Sequence, residues 1–309
     1  MKSCFAFALA GVLVIAISCS HTQRGAPIDP AFRSAISPDA QDLFAVDLDK
    51  LKATDFYHRH QQDLDLPQIN AMAERAGLDP RRDLSKILIV WDGKNLQLLA
   101  IGALSTSQLE QKLTAAGAQR TSYKSFTLFT RLSDSVAFPD NGLAFAASTP
   151  VLESTLDRWA QRSGSVPSEL QDRLAEVPAD SQLWVVSRGG LPTAGFALRS
   201  DIDSAISNIA MVVSGTSIGV RFDSGLHFQA RIVCKSPEGA QRVNDALRGL
   251  IGFARLSTQD NQLDLLRMWD AISISKDQQA VLVKADLASD LTDKLLAQVA
   301  ALRGRIPRQ

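Results

Sequence analysis

Gly215-Thr216-Ser217-Ile218-Gly219 has the G-x-S-x-G spacing of a nucleophile elbow, and Asp223 and His227 follow in the order of a catalytic triad. An elbow needs a sharp turn from strand into helix, so that the serine hydroxyl stands over an oxyanion hole. Here Val220-Arg221-Phe222 and the turn residues Asp223-Ser224-Gly225 come next, which predicts a strand running into a hairpin. Three triad residues on one local hairpin do not assemble a relay. Ser217 therefore reads as a strand residue between glycines, and a serine hydrolase is the least favoured of three functions.

Other reactive side chains are scattered. His58 and His60 flank Arg59 in a predicted helix. Positions i and i+2 point about 200° apart there, so they do not share a metal. Cys234 closes the strand-like run Arg231-Ile232-Val233, where a lone thiol reads as a small buried apolar group. Asp79-Pro80-Arg81-Arg82-Asp83 reads as a solvated charged loop. Asp201-Ile202-Asp203 lacks the ligand spacing of a calcium loop. No catalytic, cofactor-binding or metal-binding residue is assigned, and the chain is not expected to be an enzyme.

The start of the chain is more informative. Lys2 precedes an apolar run from Phe5 to Ile17, and Ser18-Cys19 follows. A positive start, a short apolar core and a small-residue exit predict an export signal over 1–18. Ala16-Ile17-Ser18-Cys19 resembles a lipobox, which implies lipidation at Cys19 and an anchor on the periplasmic side of the envelope. The alternative is ordinary cleavage near Ser18 or Ser20, which leaves room for a Cys19–Cys234 disulfide. Residues 19–37 hold Gly25, Pro27 and Pro30 and no sustained period, so they are expected to form a flexible tether.

The body follows in two stretches, 38–176 and 177–309. With 33 basic and 33 acidic residues and 45% apolar residues, the chain has material for a core and no charge signature for nucleic acid. Pro38 to Val46 matches Pro178 to Val186 in pattern. Leu96, Leu98 and Ala100 match Leu226, Phe228 and Ala230, and Ala144-Phe145-Ala146 matches Val281-Leu282-Val283. Offsets of similar size, in order, predict a duplication. Each half is expected to hold two hairpins that run into helices. The turns are Asp92-Gly93, Asp140-Asn141-Gly142, Asp223-Ser224-Gly225 and Asp277-Gln278.

Helix starts are marked by capping boxes at Ser105/Gln108 or Ser107/Glu110, by Thr149-Pro150, by Ser236-Pro237 and by Asp286. A helix is also expected from about Leu51 to Gln62. The expected fold is α+β: two duplicated modules, each an antiparallel sheet with helices packed mainly on one face. The sheets should associate or run on as one. On the helix from Ser236 to about Leu256, the stripe Val243, Leu247, Leu250, Ile251 and Ala254, widened by Phe253 and Leu256, predicts burial between layers.

Pro38-Asp39-Ala40-Gln41, Gly77-Leu78-Asp79-Pro80 and Ser236-Pro237-Glu238 lie in a pattern of signal, tether and repeated hairpin-helix units. That pattern resembles bacterial predicted lipoproteins of uncharacterised activity. The resemblance implies export and fold and carries no activity. The leading expectation is a non-catalytic, lipid-anchored envelope protein acting as a binding or assembly module for an envelope protein. The second is a carrier of a lipid or other apolar small molecule.

Overall fold

The computed structural model describes residues 25–61, 79–192 and 209–303. The leader, Cys19 and Asp201-Ile202-Asp203 lie outside them. One antiparallel sheet of twelve strands runs through the body in the order β11-β12-β10-β9-β8-β1-β2-β3-β7-β6-β5-β4. The first stretch supplies β1 (Asp42–Asp47), β2 (Leu84–Trp91), β3 (Leu96–Gly102), β4 (Gln119–Tyr123), β5 (Phe126–Arg131), β6 (Asp134–Asp140) and β7 (Leu143–Ser148). The second supplies β8 (Leu183–Ser187), β9 (Val213–Phe222), β10 (Leu226–Cys234), β11 (Ile272–Asp277) and β12 (Ala280–Leu287). The two sheets run on as one through β1 and β8, which pair antiparallel with Phe44 opposite Val185. Outward from this seam the orders are β1-β2-β3-β7-β6 and β8-β9-β10-β12-β11.

Ten helices are described: α1 (Pro30–Arg33), α2 (Leu48–Lys52), α3 (Asp55–His60), α4 (Pro80–Asp83), α5 (Thr106–Ala115), α6 (Thr149–Gln161), α7 (Ser168–Glu176), α8 (Pro237–Leu256), α9 (Leu263–Asp270) and α10 (Ser289–Arg303). They do not keep to one face in the first half. Leu43, Leu88, Leu99, Phe145 and Trp184 bury one sheet face against α1, α6 and α7. Val46, Ile87, Ala100 and Ala144 bury the other with α2, α3 and α5. Strand residues alternate sides, so a strand apolar at odd and even positions calls for cover on both. In the second half α8, α9 and α10 cover one face only. The register puts His227, Gln229 and Arg231 of β10 on the opposite face, with Lys284 and Asp286 of β12. There the alternation read from the sequence holds.

Several local expectations change. The first half carries β4 and β5 beyond its two expected hairpins. The expected helix from Leu51 is two short ones, with the Thr54 hydroxyl accepting from the Tyr57 N–H at 3.1 Å. Ser105 caps α5 without a side-chain hydrogen bond, so the capping box does not form. α6 starts from Ser148, and the Thr149 hydroxyl bonds Ser135 instead. Asp286 binds His227 rather than capping α10. The Ser236 cap forms, accepting from the Gly239 N–H at 3.1 Å. Gly117 (φ +86°) stops α5, with the Ala118 N–H returning to the Leu113 carbonyl.

The largest correction concerns the tether. From Gly25 onward it is part of the core. Ala26, Ile28, Phe32, Ala35 and Ile36 are all buried, and the Ala26 N–H donates to the Leu174 carbonyl at 3.1 Å. Ile28, Phe32 and Ile36 recur every four residues, an apolar spacing that the prolines mask. Lys86 Nζ reaches Asp29 Oδ2 at 2.7 Å and ties this arm to β2. Burial works against the Asp29 charge, but the Lys86 and Ala31 hydrogen bonds outweigh it and hold the carboxyl below its ordinary value. The same pair holds the Lys86 ammonium above its ordinary value.

The pair's stabilisation is thus whole between about pH 4 and pH 10. It fades as acid protonates Asp29 at its depressed folded pKa, and as base deprotonates Lys86 at its raised one. Asp29→Asn should flatten part of the stability loss below pH 4, read as the denaturant midpoint against pH. An unchanged acid limb would rule the pair out as a contributor.

Candidate functional site

The residues singled out from the sequence do not converge. Ser217 lies in mid-strand on β9, 2% exposed, and donates to Glu176 Oε2 at 2.9 Å. It pairs with Arg231, four residues along β10 from His227, which is about 13 Å away. His227 is held instead between Asp286 (2.7 Å) and Asp223 (3.1 Å). The strand-to-helix elbow is absent, as the hairpin reading required.

His60 turns to Asp293 on α10, with Nε2 2.8 Å from Oδ1, and Arg59 binds the same carboxylate at 2.8 Å. These contacts join the two halves. Cys234 is buried among Val213, Ala240 and Val243, and burial pushes its thiol pKa up, away from reactivity. Asp79 to Asp83 closes on itself as the capped turn α4. Asp79 Oδ1 accepts from the Arg81 N–H, and Arg82 Nε donates to Asp83 at 2.7 Å.

The α8 stripe is buried only at its start. Gly239, Ala240 and Val243 pack on the sheet, but Leu250 (62%), Phe253 (70%) and Leu256 (89%) are exposed. Twenty residues make a helix about 30 Å long, and β12 and β11 extend the sheet only about 10 Å past β10. The expected burial between layers therefore fails for the outer half.

Sequence reasoning missed one concave feature lined mostly by apolar side chains. A cavity of about 630 Å³ lies between α5 and the sheet of the first half. Its floor is Ala100, Ala144 and Ala146; Leu98, Phe129 and Phe138 stand around it, and Leu113, Ala116 and Ala118 close the α5 side. The size pattern explains the space. Large side chains at the margin set the distance between helix and sheet, and alanines in the middle are too short to fill it. The signal was present in Ala144-Phe145-Ala146-Ala147, where Ala144 and Ala146 put two small side chains on one strand face. Lys94, Arg131 and Asp134 lie at one end of the cavity.

Among the described residues no group of three His, Cys, Asp or Glu side chains is placed to hold a metal. None of their helices is long and apolar enough to cross a membrane. No protein-family model and no curated protein matches the chain. Solved structures do. Crystal form IV of TP0453 aligns over 89% of this chain and 97% of its own, at 7% identity and a TM-score of 0.50. Form III aligns over 89% and 99%, at 8% identity and a TM-score of 0.49. The likeness is one of fold.

Proposed function

We propose that this chain is an exported, lipid-anchored, non-catalytic envelope protein whose body binds an apolar small molecule. The observation that carries the reading is the cavity under α5. Its volume lies within the roughly 300–1,000 Å³ range of small-molecule sites, and its walls are apolar with polar groups confined to one end. The leader and Cys19 support the anchor. The folded arm adds to it: five residues lie between Cys19 and Gly25, so the lipid is at most about 20 Å from the body. The mirrored strand order about the β1–β8 seam supports an origin by duplication. The exposed apolar end of α8 favours a second reading, assembly with an envelope protein.

Mass spectrometry of ligands extracted from the natively purified protein tests the first reading. A reproducible apolar compound is expected from the wild type. Ala146→Trp should abolish it, because the indole fills the cavity floor, while circular dichroism melts confirm that the variant folds. A wild type that is reproducibly empty, or an Ala146→Trp protein that is folded and still loaded, would count against the cavity.

A further inference from the structure

We propose that the cavity takes a long-chain fatty acid, with its chain against Leu98, Phe129 and Phe138 and its carboxylate at the rim beside Lys94 and Arg131. This rests on the reading of the cavity as an apolar site and adds the class of ligand.

The argument is the placement of charge. Lys94 stands in the β2–β3 turn, and Arg131 ends β5. Strands β3, β7, β6 and β5 are consecutive in the sheet. Their registers set Gln97 beside Ala147, Ala147 beside Ser135, and Arg131 beside Asp134, so both cations lie at one end of the same four strands. Three strand spacings, about 14 Å, separate β3 from β5 at this level, with Lys94 two residues beyond the start of β3, and both side chains are long enough to turn toward the space between.

Neither charged end has a hydrogen bond or ion pair among the described residues. Asp134 is the one carboxylate on the rim, and it accepts from the Ser133 hydroxyl at 3.4 Å. Two cations against one anion leave the mouth positive. Apart from Asn95, Ser135 and Ser148, the other lining side chains are hydrocarbon.

A ligand that satisfies both ends is a hydrocarbon chain with one terminal anion. A carboxylate accepts charge-assisted hydrogen bonds from an ammonium or a guanidinium, which an alcohol of the same length receives more weakly. The way in is apolar too. Leu132, 96% exposed at φ +56°, and Leu96, 38% exposed, flank the mouth, so the chain need not cross a polar collar.

The test is fluorescence titration of the mature protein with cis-parinaric acid, followed by displacement with lauric acid and with dodecanol at a pH where the acid is ionised. Lauric acid should displace the probe about tenfold better than dodecanol at low salt. That advantage should shrink in high salt, because the rim is open to solvent. In the double variant Lys94→Gln/Arg131→Gln it should fall to about twofold or less.

Equal displacement by acid and alcohol in the wild type would overturn the fatty-acid assignment while leaving an apolar site standing. A preference that persists in the double variant would overturn the role of the rim. Failure of parinaric acid and dodecanol alike to bind, or unchanged binding in folded Ala146→Trp, would overturn the cavity reading itself.

Discussion

Replacing Phe32 with alanine is expected to cost about 3–5 kcal/mol of folding stability, the usual range for a buried phenylalanine cut to alanine. Phe32 is 3% exposed, in a cluster with Ile28, Ile36, Leu88 and Trp184. Its ring packs in the cluster that joins the arm to Leu88 of β2 and Trp184 of β8. A flexible tether would respond quite differently, because an exposed linker residue changes stability by less than about 0.5 kcal/mol. Denaturant unfolding of the mature protein separates the two. A midpoint that does not move on Phe32→Ala would mean that the arm is detached in solution. The result bears on the proposed function as well, since with a lipid on Cys19 a docked arm would hold the body close to the membrane.

The second large effect is expected at Phe56. This α3 side chain is fully buried and stacks on Phe222, at the end of β9, with ring centroids 4.1 Å apart and planes at 16°. Phe56→Ala should cost about 3–5 kcal/mol. A double-mutant cycle with Phe222→Ala should show a coupling of about 0.5–1.5 kcal/mol, because the stacked pair contributes beyond its buried area. The contact joins the two halves, as do Arg59 and His60 at Asp293. Unfolding of the wild type should be a single transition, and Phe56→Ala should keep one transition at a lower midpoint. Two separated transitions in the wild type would mean that the seam does not couple the halves.

Local chemistry made much of the fold legible. Turns at Asp92-Gly93 and Asp140-Asn141-Gly142 form where their residues demanded, with Gly93 at φ +93° and Gly142 at φ +74°. The alternation of Leu226 to Val233 gives the two faces of β10, and Ser236-Pro237 opens α8. Each depends only on residues close in sequence. β4 was missed for a related reason. Gln119-Arg120-Thr121-Ser122 is an exposed edge with no buried residue to impose a period of two. The helix caps at Ser105 and Asp286 were over-read, because a capping hydroxyl or carboxylate also has competing partners that sequence spacing does not show.

The candidate site was the least legible part. Its floor comes from β3 and β7, its margin from β3, β5 and β6, and its opposite wall from α5 and the turn behind it. An empty space is set by the distance between layers, and no run of sequence records that distance. The same holds for Ser217 and His227, whose order suggested chemistry and whose strand register keeps them apart.

The sequence by itself determined the alternation of β10, the turns and the α+β class, since these follow from composition, period and backbone preference over a few residues. Only the tertiary structure decided that the arm from Gly25 is core, that both faces of the first half are covered and that β1 meets β8. It alone decided that alanines under α5 leave a cavity with Lys94 and Arg131 at its mouth. Those outcomes depend on which distant surfaces bury one another, and burial is a property of the packed pair rather than of either segment.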